Sequence, residues 1–207
     1  AIAQGASERN ISVAIAAEDA TRGLRAAHAA FWLSPQTLAL AVIGPGKVGA
    51  ALLDQLQAAL PRLRSEANVD LRLRALATSR RMWLCDHGDP ADWRTRIEEE
   101  PQPADLDAIT THLLDSHLPH AVVIDCSASD SVAAQYPAWL AAGIHVITPN
   151  KHAGAGPLPR YAAIREARAS SGARFRYEAT VGAGLPVIST LRDLLDTGDE
   201  QIGRAHV

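Results

Sequence analysis

Residues 38–49 read LALAVIGPGKVG, and residues 50–60 continue AALLDQLQAAL. An apolar run suited to a buried strand passes through a glycine turn straight into a helical pattern. In that setting G-x-G-x-x-G reads as a dinucleotide fingerprint and not as a chance spacing of glycines. Each glycine has its own physical task. Gly44 permits the tight turn, Gly46 lets the backbone approach a pyrophosphate, and Gly49 lets the helix pack close to the strand. The helix start offers free N–H groups and the positive end of its dipole to phosphate oxygens. Ile43, Gly44, Gly46, Lys47, Val48 and Gly49 are therefore the first candidate cofactor contacts.

Outward from this motif the chain alternates strand and helix, which implies a Rossmann-like, doubly wound α/β fold with a parallel sheet and right-handed crossovers. The expected strands are 38–44, 69–79, 120–129, 144–150 and 173–181. The expected helices are 47–60, 91–99, 104–116, 131–142, 158–171 and 185–196. Between Arg80 and Pro103 the pattern lapses, and this stretch reads as an irregular insertion that Trp83 and Trp93 pack onto the domain. Residues 1–35 hold a β-like run from Ile11 to Ala16, an acidic cap at Glu18-Asp19 and an amphipathic helix. This strand–helix unit is too small to bury its own apolar face, so it reads as the end of another domain. The final residues, QIGRAHV, carry no apolar pattern, and 201–207 are expected to be a tail foreign to the natural protein.

Composition excludes several classes of function. The 207 residues are 47% hydrophobic, ample for a core, and carry a net charge of −3 with scattered basic residues. That balance offers no electrostatic footprint for nucleic acid or a membrane surface. No apolar stretch approaches the roughly 20 residues of a bilayer span, and the first residues do not read as a signal peptide. Two cysteines, Cys85 and Cys126, stand far apart without C-x-x-C spacing. They are expected to be reduced thiols of a cytoplasmic protein.

Chemistry is expected where strands end. The second strand of the sheet ends Ala77-Thr78-Ser79-Arg80-Arg81, with two guanidinium groups where NAD-selective folds place an acid. Arginine there suits a 2′-phosphate, so NADP(H) is expected over NAD(H). Asp125-Cys126-Ser127 closes the strand from 120, and Ser127 is a candidate donor to the nicotinamide side of the cofactor. Cys126 is a nucleophile in one reading, but Asp125 beside it disfavours a thiolate and a structural thiol is the preferred reading. Lys151 follows Thr148-Pro149-Asn150 at the end of another strand. It is one of only two lysines in an arginine-biased chain, the other being Lys47 of the glycine motif. An ammonium group there polarises a carbonyl as a point charge. In Glu178-Ala-Thr-Val-Gly-Ala-Gly-Leu-Pro186, a carboxylate and a glycine turn offer hard oxygens to a cation. The histidines show no ligand spacing.

Four segments, VIGPGKVGAALL, VIDCSAS, HVITPNKHA and YEATVGAGLPVISTLRDLL, together resemble homoserine dehydrogenase of the kind fused behind an aspartate kinase. Residues 1–35 resemble the end of the ACT-type α+β regulatory region that joins the two activities. The resemblance divides the chain into 1–35 (ACT-like end), 36–184 (NAD(P)-binding domain), 185–200 (start of the substrate domain) and the tail. It implies hydride transfer between aspartate 4-semialdehyde and homoserine, on the route to threonine and methionine. It also implies a homo-oligomer (dimer or tetramer) and threonine as an allosteric effector. By the same resemblance Lys151 is catalytic and lies near cofactor and substrate. Ser127 contacts the nicotinamide side, and Glu178 with the carbonyls of Val181, Ala183 and Leu185 holds sodium. The family's later substrate-binding segments are not in these residues, so the segment is expected to bind cofactor without turning over substrate alone. Two competing readings remain: an aspartate-semialdehyde-type dehydrogenase using Cys126, and a non-catalytic amino-acid-sensing module around residues 1–35.

Overall fold

The computed structural model describes residues 2–4, 11–32, 36–99, 101–114 and 118–198. The expected tail at 201–207 lies outside them. Two short strands, β1 (Ile2–Gln4) and β2 (Ile11–Val13), pair antiparallel with Ile2 opposite Val13. A single 3-10 turn at Ala17–Asp19 leads into α1 (Ala20–Trp32). The strand expected over 11–16 is thus half that length.

The fingerprint's apolar run forms β3 (Gln36–Ile43), followed by α2 (Lys47–Ser65) and β4 (Val69–Ala77). The helix runs past the expected end at 60 and through Pro61, which forfeits one backbone hydrogen bond without ending it. The stretch expected to be irregular is not. It contains β5 (Arg81–Gly88), α3 (Trp93–Glu99) and the two-residue β6 (Gln102–Pro103). β5 pairs antiparallel with β4 and β6 antiparallel with β5, extending one side of the sheet. Trp83 and Trp93 are buried and do pack this region onto the domain.

The rest continues with α4 (Leu106–Leu114), β7 (His120–Asp125), α5 (Asp130–Ala133), α6 (Tyr136–Ala141) and β8 (His145–Ile147). Then come α7 (His152–Ala155), α8 (Leu158–Ser171), β9 (Phe175–Arg176) and α9 (Val187–Thr197). The expected helix 131–142 is two helices. The expected strands 120–129, 144–150 and 173–181 are shorter, because their final residues turn out of the ladder to form the loops of the site. After β9 the chain makes a 3-10 turn at Glu178–Thr180.

The seven strands run in the order β6-β5-β4-β3-β7-β8-β9, parallel from β4 to β9. Alternation along β3 explains the layers. Ala39, Ala41 and Ile43 face a core shared with Ile109 and Leu113 of α4, Trp139 and Leu140 of α6 and Ile164 of α8. Leu40 and Val42 face the other side, against Leu53 of α2 and Trp93 and Ile97 of α3. Burial on both faces is why β3 reads as a continuous apolar run. The chain leaves β3 toward β4 on one side and returns to β7 on the other, so a crevice opens between the carboxyl ends of β3 and β7.

Candidate functional site

Gly44 occupies the left-handed region (φ +79°), and its amide donates to the Ala77 carbonyl at 2.8 Å. A Cβ at this position would lie 2.7 Å from the Ser127 backbone nitrogen. The turn after β3 and the end of β7 therefore touch backbone to backbone, a contact open only to glycine. Cys126 adds to the join, its amide donating to the Ile43 carbonyl at 2.8 Å. A Cβ on Gly49 would lie 2.4 Å from the Gly44 carbonyl oxygen, so the helix start packs directly onto the turn. Above Gly46 there is open space, and no side chain caps the first turn of α2. Lys47 and Val48 are exposed there. Its free N–H groups and dipole face that space and suit an anionic group.

Thr78–Arg81 form the tight connection between β4 and β5. The Thr78 hydroxyl accepts from the amides of Arg80 and Arg81, and the Thr78 amide donates to the Arg81 carbonyl. This turn leaves Ser79, Arg80 and Arg81 exposed. Together with Pro45, Trp93, Ile97 and Glu98 they line a cleft of about 510 Å³ beside the glycine turn. Among the described residues, buried Trp93 Nε1 has no hydrogen-bond acceptor. A larger hollow of about 560 Å³ lies elsewhere, bounded by Arg165, Arg168, Arg174 and Arg176. Arg174 precedes and Arg176 ends the outermost strand, where charge discourages pairing with another chain.

A buried polar network joins the ends of β7 and β8. Asp125 is fully buried. One of its carboxylate oxygens accepts the Ser127 amide at 2.8 Å, and the other accepts the Tyr136 hydroxyl and the Asn150 amide group. The Thr148 hydroxyl donates to the Asp125 carbonyl and accepts the Asn150 amide, both at 2.8 Å. Burial, and then the Asp125 charge, push the Tyr136 hydroxyl far above the ordinary tyrosine range, so Tyr136 stays a proton donor to the carboxylate. The signal in the sequence was the acid that ends the apolar run VVID. A carboxylate in a core phase demands partners, but only the fold names them.

Lys151 follows this network, exposed at the start of α7, and makes no ion pair among the described residues. The neighbouring Asp130 is already engaged. Arg160 bonds both its oxygens at 2.6 and 2.9 Å and holds its carboxyl below the usual carboxylate range. The structure thus brings Ser127 against Gly44 and links Lys151 to Ser127 through Asn150 and Asp125.

Glu178 is placed differently. Its carboxylate accepts the amides of Ile188 and Ser189, capping the start of α9. Gly182 and Ala183 both have positive φ, +70° and +52°, and shape the loop between. The Leu185 carbonyl accepts the Val187 amide at 2.8 Å. Among the described residues no group of three His, Cys, Asp or Glu side chains converges on a point.

Burial, with Asp125 adding to it, pushes the Cys126 thiol up to about 11. A thiol so placed is a poor nucleophile at neutral pH. Alkylation of Cys126 by iodoacetamide should therefore speed up about tenfold per pH unit between roughly pH 8 and 10, as the thiolate fraction grows. A rate that is fast and flat over that range would restore the nucleophile reading.

The family model described as the homoserine dehydrogenase NAD-binding domain matches residues 44–178, and an ACT domain model matches 1–31. A bifunctional aspartokinase/homoserine dehydrogenase of Zea mays, described as chloroplastic, is 50% identical over 202 residues, covering 97% of this chain and 22% of its own length. The chain thus spans less than a quarter of the curated relative it matches. Among solved structures, a Candida auris protein of unknown function is 32% identical with a TM-score of 0.69, over 80% of this chain and 45% of that one. A hyperthermophilic archaeal homoserine dehydrogenase in complex with NADPH shares the fold, with a TM-score of 0.62 at 23% identity, over 78% of this chain and 50% of that one. Among the described residues no helix is long and apolar enough to cross a membrane.

Proposed function

The chain belongs to the homoserine dehydrogenase NAD-binding family, and from that premise we propose that it forms the NAD(P)-binding part of an enzyme that reduces aspartate 4-semialdehyde to homoserine. The same protein would carry an aspartate kinase, as the Zea mays relative's name describes. The observation that carries the reading is the contact of Gly44 with Ser127 beside an uncapped helix start. The open space over Gly46 and the adjoining cleft accommodate a dinucleotide. When bound, the nicotinamide cofactor supplies the hydride. The residues of this chain bind and orient. The first turn of α2 receives the pyrophosphate, Ser127 faces the nicotinamide side, and Lys151 stabilises negative charge growing on the substrate carbonyl oxygen.

In this reading the cofactor is NADP(H), as it is in the archaeal neighbour's complex. Arg80 and Arg81 hold the 2′-phosphate, and losing such a charge-assisted contact costs about 1.5–3 kcal/mol. An Arg80→Ala, Arg81→Ala double variant of the full-length protein should raise the NADPH dissociation constant at least roughly tenfold and leave that of NADH nearly unchanged. Calorimetric titration of both cofactors checks this, and equal losses would refute it.

Sodium held by Glu178 and the carbonyls of Val181, Ala183 and Leu185 is the finer part of the reading. A cation there shares a carboxylate that already caps α9. Residues 1–35 act as the end of an ACT regulatory unit with threonine as its effector, residues 36–184 as the cofactor domain and 185–200 as the start of the substrate domain. The working assembly is a homo-oligomer.

A further inference from the structure

Asn150 engages its backbone N–H and both ends of its side-chain amide. Its Nδ2 donates to Asp125 Oδ2 and to the Ser129 carbonyl, both at 2.9 Å. Its Oδ1 accepts the His152 amide at 3.1 Å, and its own amide donates to the Thr148 hydroxyl at 2.8 Å. Asn150 is 3% exposed, whereas Lys151 beside it is exposed. The Lys151 side chain has no ion-pair partner among the described residues. The ammonium group is therefore placed by its backbone, and both neighbours of that backbone are held by one side chain. We propose that Asn150, clamped by the buried Asp125 carboxylate, is the positioning residue that sets where Lys151 stands at the cofactor edge.

This rests on the role given to Lys151 above. Pro149 adds to the effect, since it fixes φ just before Asn150. A fully satisfied buried network admits one arrangement, and removing one member leaves the others to find new partners. Loss of the Asn150 amide group frees the His152 amide and takes one bond each from Asp125 Oδ2, which keeps the Tyr136 hydroxyl, and from the Ser129 carbonyl, which keeps the Ala133 amide. The Ser127 amide keeps its bond to the other Asp125 oxygen. The side of the site that touches Gly44 is therefore spared, and the expected damage falls on turnover rather than on cofactor affinity.

The test is a double-mutant cycle in the full-length protein, read by turnover of aspartate 4-semialdehyde with NADPH. Asn150→Ala should lower kcat roughly 10- to 50-fold and keep the NADPH dissociation constant within about twofold. In a Lys151→Ala background the same change should lower kcat by less than about twofold, because the group it positions is gone. Effects that multiply, or a fall in NADPH affinity matching the fall in kcat, would overturn the proposal. A general loss of stability affects both backgrounds alike. If Asn150→Ala does not fold, Asn150→Ser keeps one hydrogen-bonding atom and should show the same non-additivity at smaller amplitude. A wild-type protein that does not reduce the semialdehyde sinks the proposed function. Amide exchange then still decides the positioning role: it should quicken about tenfold or more at His152, whose amide Asn150 holds, in Asn150→Ala. Unchanged exchange there refutes it.

Discussion

Lys151→Ala in the full-length protein is expected to lower turnover about 100-fold or more while its folding stability changes by less than about 0.5 kcal/mol. Hydride arriving at an aldehyde carbon builds negative charge on the oxygen, so an ammonium group nearby stabilises the transition state more than the ground state. The small effect on stability follows from an exposed side chain without an ion pair among the described residues. Steady-state kinetics beside a thermal melt separates the two. Wild-type turnover in the variant would reduce Lys151 to a turn residue. A matching loss of stability would make the effect structural.

Gly44→Ala should fail in a way that Gly46→Ala does not. At Gly44 an alanine must hold a left-handed φ, at about 1–2 kcal/mol. Its Cβ also overlaps the Ser127 backbone, where crowding adds about 1–3 kcal/mol. For a chain of this size the melting point should fall by roughly 5–15 °C. Pushing the turn from Ser127 by about an ångström should cost around 100-fold in NADPH affinity. At Gly46 the backbone is already extended (φ −75°, ψ −153°) and a Cβ meets nothing within 4 Å. Gly46→Ala should therefore melt within about 2 °C of wild type yet bind NADPH roughly tenfold more weakly, because the new methyl enters the space read as the pyrophosphate's. Normal binding by Gly46→Ala would remove that space from the cofactor site. A stable, tightly binding Gly44→Ala would refute the contact with Ser127 as its basis.

The parts of the molecule legible in the chain were those governed by neighbours in sequence. The run LALAVI, buried on both faces, the glycine turn and the helix after it follow from local pattern, and the parallel core of the sheet follows from their alternation. The stretch 81–103 was not legible. RMWLCDHG pairs with only one long neighbour, and its strand character comes from lying against β4. The same holds at the other edge, where the long strand expected over 173–181 is only Phe175–Arg176 paired to β8.

In the site, Ser127 and Lys151 stood out because they follow the carboxyl ends of strands, the place where parallel sheets meet ligands. Asp125, Tyr136 and Asn150 did not, since no spacing along the chain announces a carboxylate shared by groups 11 and 25 residues away. The sequence alone determined the fold, the fingerprint and the family, because each rests on residues adjacent in the chain, whose propensities and spacings are local. Only the tertiary structure decided that Gly44 needs to be glycine because of Ser127, that Glu178 caps α9, and that Asn150 brackets Lys151. Those are contacts across the sheet, and their energies exist only once distant segments are brought within hydrogen-bonding reach.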